Sequence, residues 1–447
     1  MGFTFCACSE GEVSVPTACS NRKMPRVRQP SPAEISAHPR EFALLRQVAP
    51  EGEVDAEALK EYIKLYGEPA KAVAEGEISF EDFAAMFSRK SAEAVTANCI
   101  GYAAQDKSGV LAPYSFDRRP VGPKDVRIQI THAGICHSDL HQVKNEWGGS
   151  VYPMVPGHEI VGIVTEVGSE VSSFKPGDRA GVGCMVDSCG TCEMCAAPRC
   201  EEQFCPRCVF TYNSKHYDGT LAQGGYSSHI VVKESFVLRL PANLPLDATA
   251  PLLCAGITVY SPMKHFGLDK PGLRLGVVGL GGLGHMAVKI GKAMGMHVTV
   301  ISTSESKREE AIKVLGADEF LVSKDAEAMK AASNSLHGII DTVSAKHDLG
   351  ALAGLLKLEG RLVLVGVPDQ PLELPSFALI FKRAMVSGSL IGGIKETQEM
   401  LDFCGQHGIT ATIEKIPIEY VNTAYERMTR SDVRYRFVID IQGSLVL

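Results

Sequence analysis

Tryptophan is nearly missing from this chain, with one residue, Trp147, among 447, and aromatic side chains make up only 7%. No apolar run reaches bilayer length, so no membrane partner is expected. Dense clusters of lysine and arginine are missing too. The net charge is −7 and the basic residues are scattered, which excludes the electrostatic footprint of a nucleic-acid binder. No secretory leader is evident, so the 14 cysteines are expected in a reducing compartment, the cytoplasm, as metal ligands rather than disulfides. What remains is ordinary for a globular protein, 45% hydrophobic and 22% charged, and the length suits two domains plus appendages.

Residues 1–40, rich in Ser, Pro, Arg and Cys without an apolar period, are expected to be disordered. Met1-Gly2 with Cys6 and Cys8 would suit paired acylation, but Cys6 stands where a myristoylation signal wants Ser or Thr. Glu10, Glu12 and Glu34 speak against a transit peptide. Residues 41–97 read as a small helical module, with Phe42, Leu45, Leu59, Tyr62, Phe80, Phe83 and Phe87 at helical spacing. Gly52 and Gly76 resemble the centres of two EF-hand loops. The end positions of those loops would then be Gln47 and Ala58, and Lys71 and Asp82, which supply too few carboxylates to bind calcium.

From residue 98 the composition turns to Gly, Val and Ile. Val126–Ile130, Ile160–Val167 and Tyr226–Val232 alternate like strands of a compact barrel. Between them lies a thiol, a hydroxyl, a carboxylate and two imidazoles within a few residues: Cys136, His137, Ser138, Asp139 and His141. Taken singly, such residues are ordinary core or surface side chains. Together, Cys136, His158 and Cys254 offer the two-thiolate, one-imidazole shell of a catalytic zinc with one position open. Cys189, Cys192 and Cys195, at repeated two-residue separations, offer most of a closed structural zinc site. Cys200 and Cys205 both compete for the fourth place, and Cys184 and Cys208 lie nearby.

A glycine string, Gly279, Gly281, Gly282 and Gly284, leaves an apolar strand and enters a helical pattern. The second strand, His297–Ile301, follows at the distance of a dinucleotide-binding unit. Strand and helix alternate onward through Glu319–Ser323, Gly338–Val343, Gly360–Gly366 and Val386–Ile391, which gives six strands. At the tip of the second strand stand Ser302, Thr303, Ser304 and Lys307 in place of an acid, so NADP(H) is favoured over NAD(H). Ser304 could cap the next helix at the same time.

Taken together, Cys136–His141, Pro156–Glu159, Gly183–Cys189, Leu253–Pro262, Gly279–Gly284 and Ile391–Leu401 resemble the zinc-dependent medium-chain dehydrogenase/reductase superfamily. The likeness is to its cinnamyl alcohol dehydrogenase branch, especially broad-range NADPH aldehyde reductases, and it covers residues from about 98 to 443. It implies an α/β architecture: a GroES-like β-barrel catalytic domain plus a Rossmann doubly wound parallel sheet, here with a small α-helical N-terminal extension. The expected divisions are 98–265 for the catalytic domain, with 393–447 returning to it, and 266–392 for NADP binding.

The resemblance implies catalytic zinc on Cys136, His158 and Cys254, and Glu159 as a carboxylate able to swing onto the metal. It implies Asp139 as the acid that orients His158, and Ser138 and His141 as a proton relay through the cofactor ribose. It chooses Cys205, from its Gln203-Phe204-Cys205-Pro206 context, to complete Cys189, Cys192 and Cys195; the longer preceding loop keeps Cys200 open. His137, Thr258, Leu283 and the four glycines would contact the cofactor, and Ser302, Thr303, Ser304 and Lys307 its 2′-phosphate. Phe210 stands where plant lignin-type members carry tryptophan, so with Trp147 it suggests a wide apolar pocket. The implied activity is NADP(H)-linked interconversion of aldehydes and primary alcohols, aromatic such as cinnamaldehyde or benzaldehyde and medium aliphatic, by a homodimer. The alternative is a non-catalytic redox-sensing or partner-tethered protein that retains this fold.

Overall fold

The computed structural model describes residues 97–445 except residue 369. The expected disordered segment 1–40 and the expected EF-hand-like module 41–97 lie outside the described residues but for Ala97.

Alternating apolar residues build the first sheet. In β1 (Asp125–Gly134) Val126, Ile128 and Ile130 are fully buried. Two register shifts, at Arg127/Ile128 and Ile130/His132, bend this strand where it meets its neighbour. α1 (His137–Val143) follows at its end. β1 pairs antiparallel with β2 (Ile160–Val167), and β2 with β3 (Arg179–Val182). β4 (His229–Lys233) joins β1, and β5 (Leu238–Arg239) joins β3. The sequence predicts β4 from Tyr226, but it begins at His229. Tyr226 instead accepts a 2.9 Å hydrogen bond from the Tyr102 amide, and Ser227 bridges to Gly101, so this stretch is used by a different strand.

α2 (Ala255–His265) leads into the second sheet. Its strands are β6 (Arg274–Val278), β7 (His297–Ser302), β8 (Glu319–Val322), β9 (Leu336–Asp341), β10 (Leu356–Leu364) and β11 (Met385–Gly388). All are parallel, in the order β8-β7-β6-β9-β10-β11. Val277, Val298, Val300, Ile339, Ile340 and Val363 are fully buried, as expected of strands covered on both faces. The order reverses between β6 and β9, the switch point at which such sheets bind ligands. There the glycine turn runs into α3 (Gly282–Ala293). Gly279 has φ +86°, and a Cβ on Gly284 would lie 2.1 Å from the Gly279 carbonyl oxygen, so neither tolerates a side chain. β11 ends before the predicted Ile391. The Ser389 amide makes the last bond to Leu364, and Ile391 turns to φ +37°.

After α4 (Ile394–His407), β12 (Ile413–Ile416) lies parallel to β13 (Arg436–Asp440), which pairs antiparallel with β1. The chain thus closes the GroES-like sheet after completing the Rossmann-type sheet, the α/β architecture expected from the sequence. No helix among the described residues is long and apolar enough to cross a membrane.

Candidate active site

Cys136 occupies the N-cap of α1, so its side chain leaves the helix at the end of β1. Asp139, one turn later and wholly buried, accepts a hydrogen bond from the Cys136 amide at 2.9 Å, from the Gly157 amide at 3.2 Å and from the Tyr226 hydroxyl at 3.0 Å. Its fourth neighbour is Nδ1 of His158, at 3.0 Å. With three donors already on this carboxylate, the ring makes the fourth contact through Nδ1–H, and Nε2 keeps its lone pair for a cation. Tyr212 stacks on the His158 ring at 5.8 Å and covers its face. Cys254 arrives from the junction between a short turn, Ala250–Leu253, and α2.

These elements bring Cys136, His158, Glu159 and Cys254 together, one ligand atom of each within 4.8 Å of all the others. The Cys136 and Cys254 sulfurs are 3.9 Å apart. Hydrogen bonding to Cys254, then the charge of Arg436, holds the Cys136 thiol well below its usual range. The same contact, together with burial, pushes Cys254 up. Two neighbouring thiolates therefore need a cation to coexist. Glu159 is completely buried; one of its oxygens is paired with Arg436 and the other, Oε2, has no partner. Burial pushes its carboxyl up to about 7 against the pull of Arg436. Two sulfurs, an imidazole nitrogen and an orphaned carboxylate oxygen are a donor set that suits zinc.

The other expected participants lie around this cluster. The Ser138 hydroxyl is 3.6 Å from the Cys136 sulfur. His141 is bonded through Nδ1 to Glu146 and stacks on Trp147 at 4.8 Å. Among the described residues no hydrogen bond joins Ser138 to His141 directly, and the exposed His137 ring stands 5.7 Å from that of His141. Thr258 is buried on α2, and Leu283 is partly buried on α3. On the nucleotide side, Ser302 is buried at the tip of β7, while Thr303 and Ser304 are exposed. The Ser304 hydroxyl caps the following turn by accepting from the Ser306 amide at 3.2 Å, as the sequence allows. Lys307 donates to the Leu280 carbonyl at 3.1 Å, which fixes its ammonium beside the glycine turn.

Two residues were not picked out from sequence. Arg436, on β13, is buried between Glu159 and the glycine turn; a Cβ on Gly282 would sit 2.8 Å from its Cδ. Its one signal is an arginine that opens the apolar run Phe437–Ile439. Glu146 looks like any surface acid until the helix end folds it back onto His141.

The second cluster unites the sulfurs of Cys189, Cys192, Cys195 and Cys205 within the same 4.8 Å limit. Cys192 is 3.5 Å from Cys195, and Cys205 is 3.5 Å from Cys189. Backbone hydrogen bonds from the turn at Thr191 and Cys192 draw the Cys189 thiol down to about 6, the polarity a cation-bound sulfur needs. Cys200 stays outside this cluster. It turns to φ +52°, and its carbonyl packs against Gly393. Cys184 lies by the first cluster instead, 3.9 Å from the Leu253 carbonyl.

The family model for the alcohol dehydrogenase GroES-like domain matches residues 122–242, and that for the zinc-binding dehydrogenase matches residues 282–406. The chain is 63% identical over 346 residues to cinnamyl alcohol dehydrogenase 8 of Arabidopsis thaliana, covering 77% of this chain and 96% of that protein. It is 62% identical to a probable mannitol dehydrogenase of Fragaria ananassa, with the same coverage of both chains. Among solved structures it resembles a cinnamyl alcohol dehydrogenase from Sorghum bicolor, with a TM-score of 0.75 and 56% identity over 77% of this chain and 98% of that one. A cinnamyl alcohol dehydrogenase from Helicobacter pylori complexed with NADP(H) gives a TM-score of 0.72 and 44% identity, over 77% and 99%.

Proposed function

Since the chain belongs to the zinc-binding alcohol dehydrogenases with a GroES-like domain, and so interconverts alcohols and aldehydes with zinc and NADP(H), we propose how its own residues divide that work. Cys136, His158 and Cys254 hold the catalytic zinc. Glu159 is a fourth, exchangeable donor that Arg436 holds by its other oxygen, and Cys189, Cys192, Cys195 and Cys205 hold the structural zinc. When bound, the catalytic zinc polarises the substrate oxygen and the nicotinamide exchanges hydride with the substrate carbon. Asp139 orients His158 and has no spare capacity for proton transfer, because every one of its acceptor positions is in use.

Ser138 Oγ gives the proton to the substrate oxygen in aldehyde reduction and takes it in alcohol oxidation. With the cofactor bound, its ribose would link His141 to Ser138 for resupply, and Glu146 extends the path to solvent by holding the His141 ring at Nδ1. Thr303, Ser304 and Lys307 receive the 2′-phosphate, with the buried Ser302 setting the strand tip. Gly279, Gly281, Gly282, Leu283 and Gly284 pass the pyrophosphate, and His137 and Thr258 flank the nicotinamide half. Arg436 couples the two sites, since one guanidinium meets both the Glu159 carboxylate and the glycine turn. The substrates are aromatic aldehydes such as cinnamaldehyde and benzaldehyde, medium aliphatic aldehydes, and the matching primary alcohols.

Two copies pair along the β11 edge. Phe377, Ile380 and Phe381 are mostly exposed beside it, which is more apolar surface than a lone copy usually leaves uncovered. Sedimentation of the purified protein checks the dimer.

The donor cluster of Cys136, His158, Glu159 and Cys254 carries the whole scheme. Its test is the consumption of NADPH with benzaldehyde by zinc-loaded protein: turnover is expected, and its absence with two zinc ions bound would contradict the scheme.

A further inference from the structure

Beyond these roles, the rim of the cluster carries a connection that none of them uses. The segment Phe210–Asn213 sends its four side chains in four directions. Thr211 donates to the Gly183 carbonyl at 2.5 Å, Tyr212 turns inward onto the His158 ring, and Phe210 is left 41% exposed. Asn213 then takes φ +50°, a left-handed backbone that asparagine tolerates better than most residues. That turn aims its carboxamide at a separate loop.

Its Nδ2 donates to Oε1 of Gln142 at 2.5 Å, and its Oδ1 accepts from the Val151 amide at 2.9 Å. Gln142 and Val151 bracket the loop that carries Glu146 and Trp147. Within that loop the Ser150 hydroxyl donates to the Gln142 carbonyl at 2.5 Å, and the Ser150 amide to Oδ1 of Asn145 at 3.0 Å. At its tip the Gly148 amide donates to the Asn145 carbonyl at 3.2 Å, and a Cβ on Gly148 or Gly149 would meet only open space. Trp147, 44% exposed, is anchored on one face by His141. One carboxamide therefore ties the loop bearing Trp147 to the strand bearing Phe210. Both segments also touch the catalytic machinery, one through Tyr212 on His158 and the other through Trp147 itself on His141.

We propose that Asn213 is a positioning residue for the substrate mouth: its bonds to Gln142 and Val151 fix the gap between Trp147 and Phe210, through which a flat aromatic aldehyde must enter. The proposal deepens the aldehyde-reductase reading and rests on it. A small aliphatic aldehyde needs neither aromatic wall, so the latch bears on selectivity more than on the hydride step.

Asn213→Gly removes the carboxamide and keeps a residue suited to positive φ. It is expected to raise KM for cinnamaldehyde about tenfold and that for propanal far less, on the scale of one lost pocket contact. Because Trp147 is the only tryptophan in the chain, its quenching by acrylamide reads the loop directly and should increase in the same variant. Asn213→Asp keeps the acceptor for Val151, and the Gln142 amide nitrogen can turn to the new carboxylate, so both readouts should return toward normal. Gln142→Ala approaches the latch from the other side and should give the same split; it also serves if the glycine variant fails to fold. Equal losses on both aldehydes, or unchanged KM and quenching, would overturn the proposal. Failure of the unmodified holoenzyme to reduce either aldehyde would instead overturn the reading beneath it.

Discussion

Cys189, Cys192, Cys195 and Cys205 come from one short stretch, are half-buried at most except for Cys195 and Cys205, and take hydrogen bonds from the backbone beside them. Cys136, His158, Glu159 and Cys254 are all buried, and the two sulfurs lie 118 residues apart in sequence. Every group in this second set is steered by another side chain: His158 by Asp139, Glu159 by Arg436, Cys136 by Cys254. The four-cysteine cluster is closed by sulfur alone on a lobe with little apolar core of its own. The cluster around His158 sits in a full core that would fold around it in any case, and it keeps a carboxylate oxygen unpaired. Sulfur thus staples in one region and prepares a reactive centre in the other, and the surroundings decide which.

The largest separation between the two regions should come from serine at one sulfur of each. Cys189→Ser is expected to give protease-sensitive or insoluble protein, since a structural zinc supplies on the order of 10 kcal/mol of folding free energy. Cys136→Ser should stay folded with one zinc fewer and lose turnover by on the order of 10³-fold. Limited proteolysis and metal analysis on both variants check the contrast, and the reverse pattern would break it.

A smaller effect, roughly 10²- to 10⁴-fold in turnover with both zinc ions retained, is expected of Ser138→Ala. Steady-state rates beside zinc content measure it, and a near-normal rate would remove Ser138 from the relay. Asp139→Asn keeps the shape but loses the charge that orients His158. It should weaken zinc at the catalytic cluster alone by roughly 10- to 100-fold, seen by titration with a chelator.

The smallest effect concerns acid. Burial, then the charge of Lys289, holds the His285 imidazole down to about 3, against an ordinary 6.5. Its Nδ1 faces the Gly281 carbonyl and its Nε2 accepts from the Thr412 amide, so it stays neutral inside the nucleotide turn. As pH falls below 6.5 the unfolded chain takes up a proton that the folded chain refuses. Stability of the folded chain should therefore fall from about pH 6.5 toward 3, by up to about 1.4 kcal/mol per pH unit. His285→Gln should flatten that limb of a plot of Tm against pH, and an unchanged slope would remove His285 as its source.

What could be read from the sequence was what is local. The cysteine spacing, the glycine turn and the alternation of β1, β2 and β7 each declare themselves within a few residues, and those strands and the parallel order follow. Spacing does not separate Cys205 from Cys200 but backbone does: Cys200 turns left-handed with its carbonyl packed against Gly393, and its sulfur stays outside the cluster. Arg436 meets Glu159 across 277 residues, and Asn213 meets Gln142 across 71. No periodicity announces such pairs, because they exist only once β13 has closed against β1 and the cysteine lobe has folded over α1. Boundaries slipped for the same reason, as when Tyr226 and Ser227 were taken by the strand at Gly101 and Tyr102 instead of β4.

The most direct test of the division between the two clusters is anomalous diffraction at the zinc edge from crystals of the full chain with NADP bound. Two peaks are expected, one among Cys136, His158 and Cys254 and one inside the four-cysteine lobe. A peak in the lobe alone, from protein that still reduces aldehydes, would contradict the account.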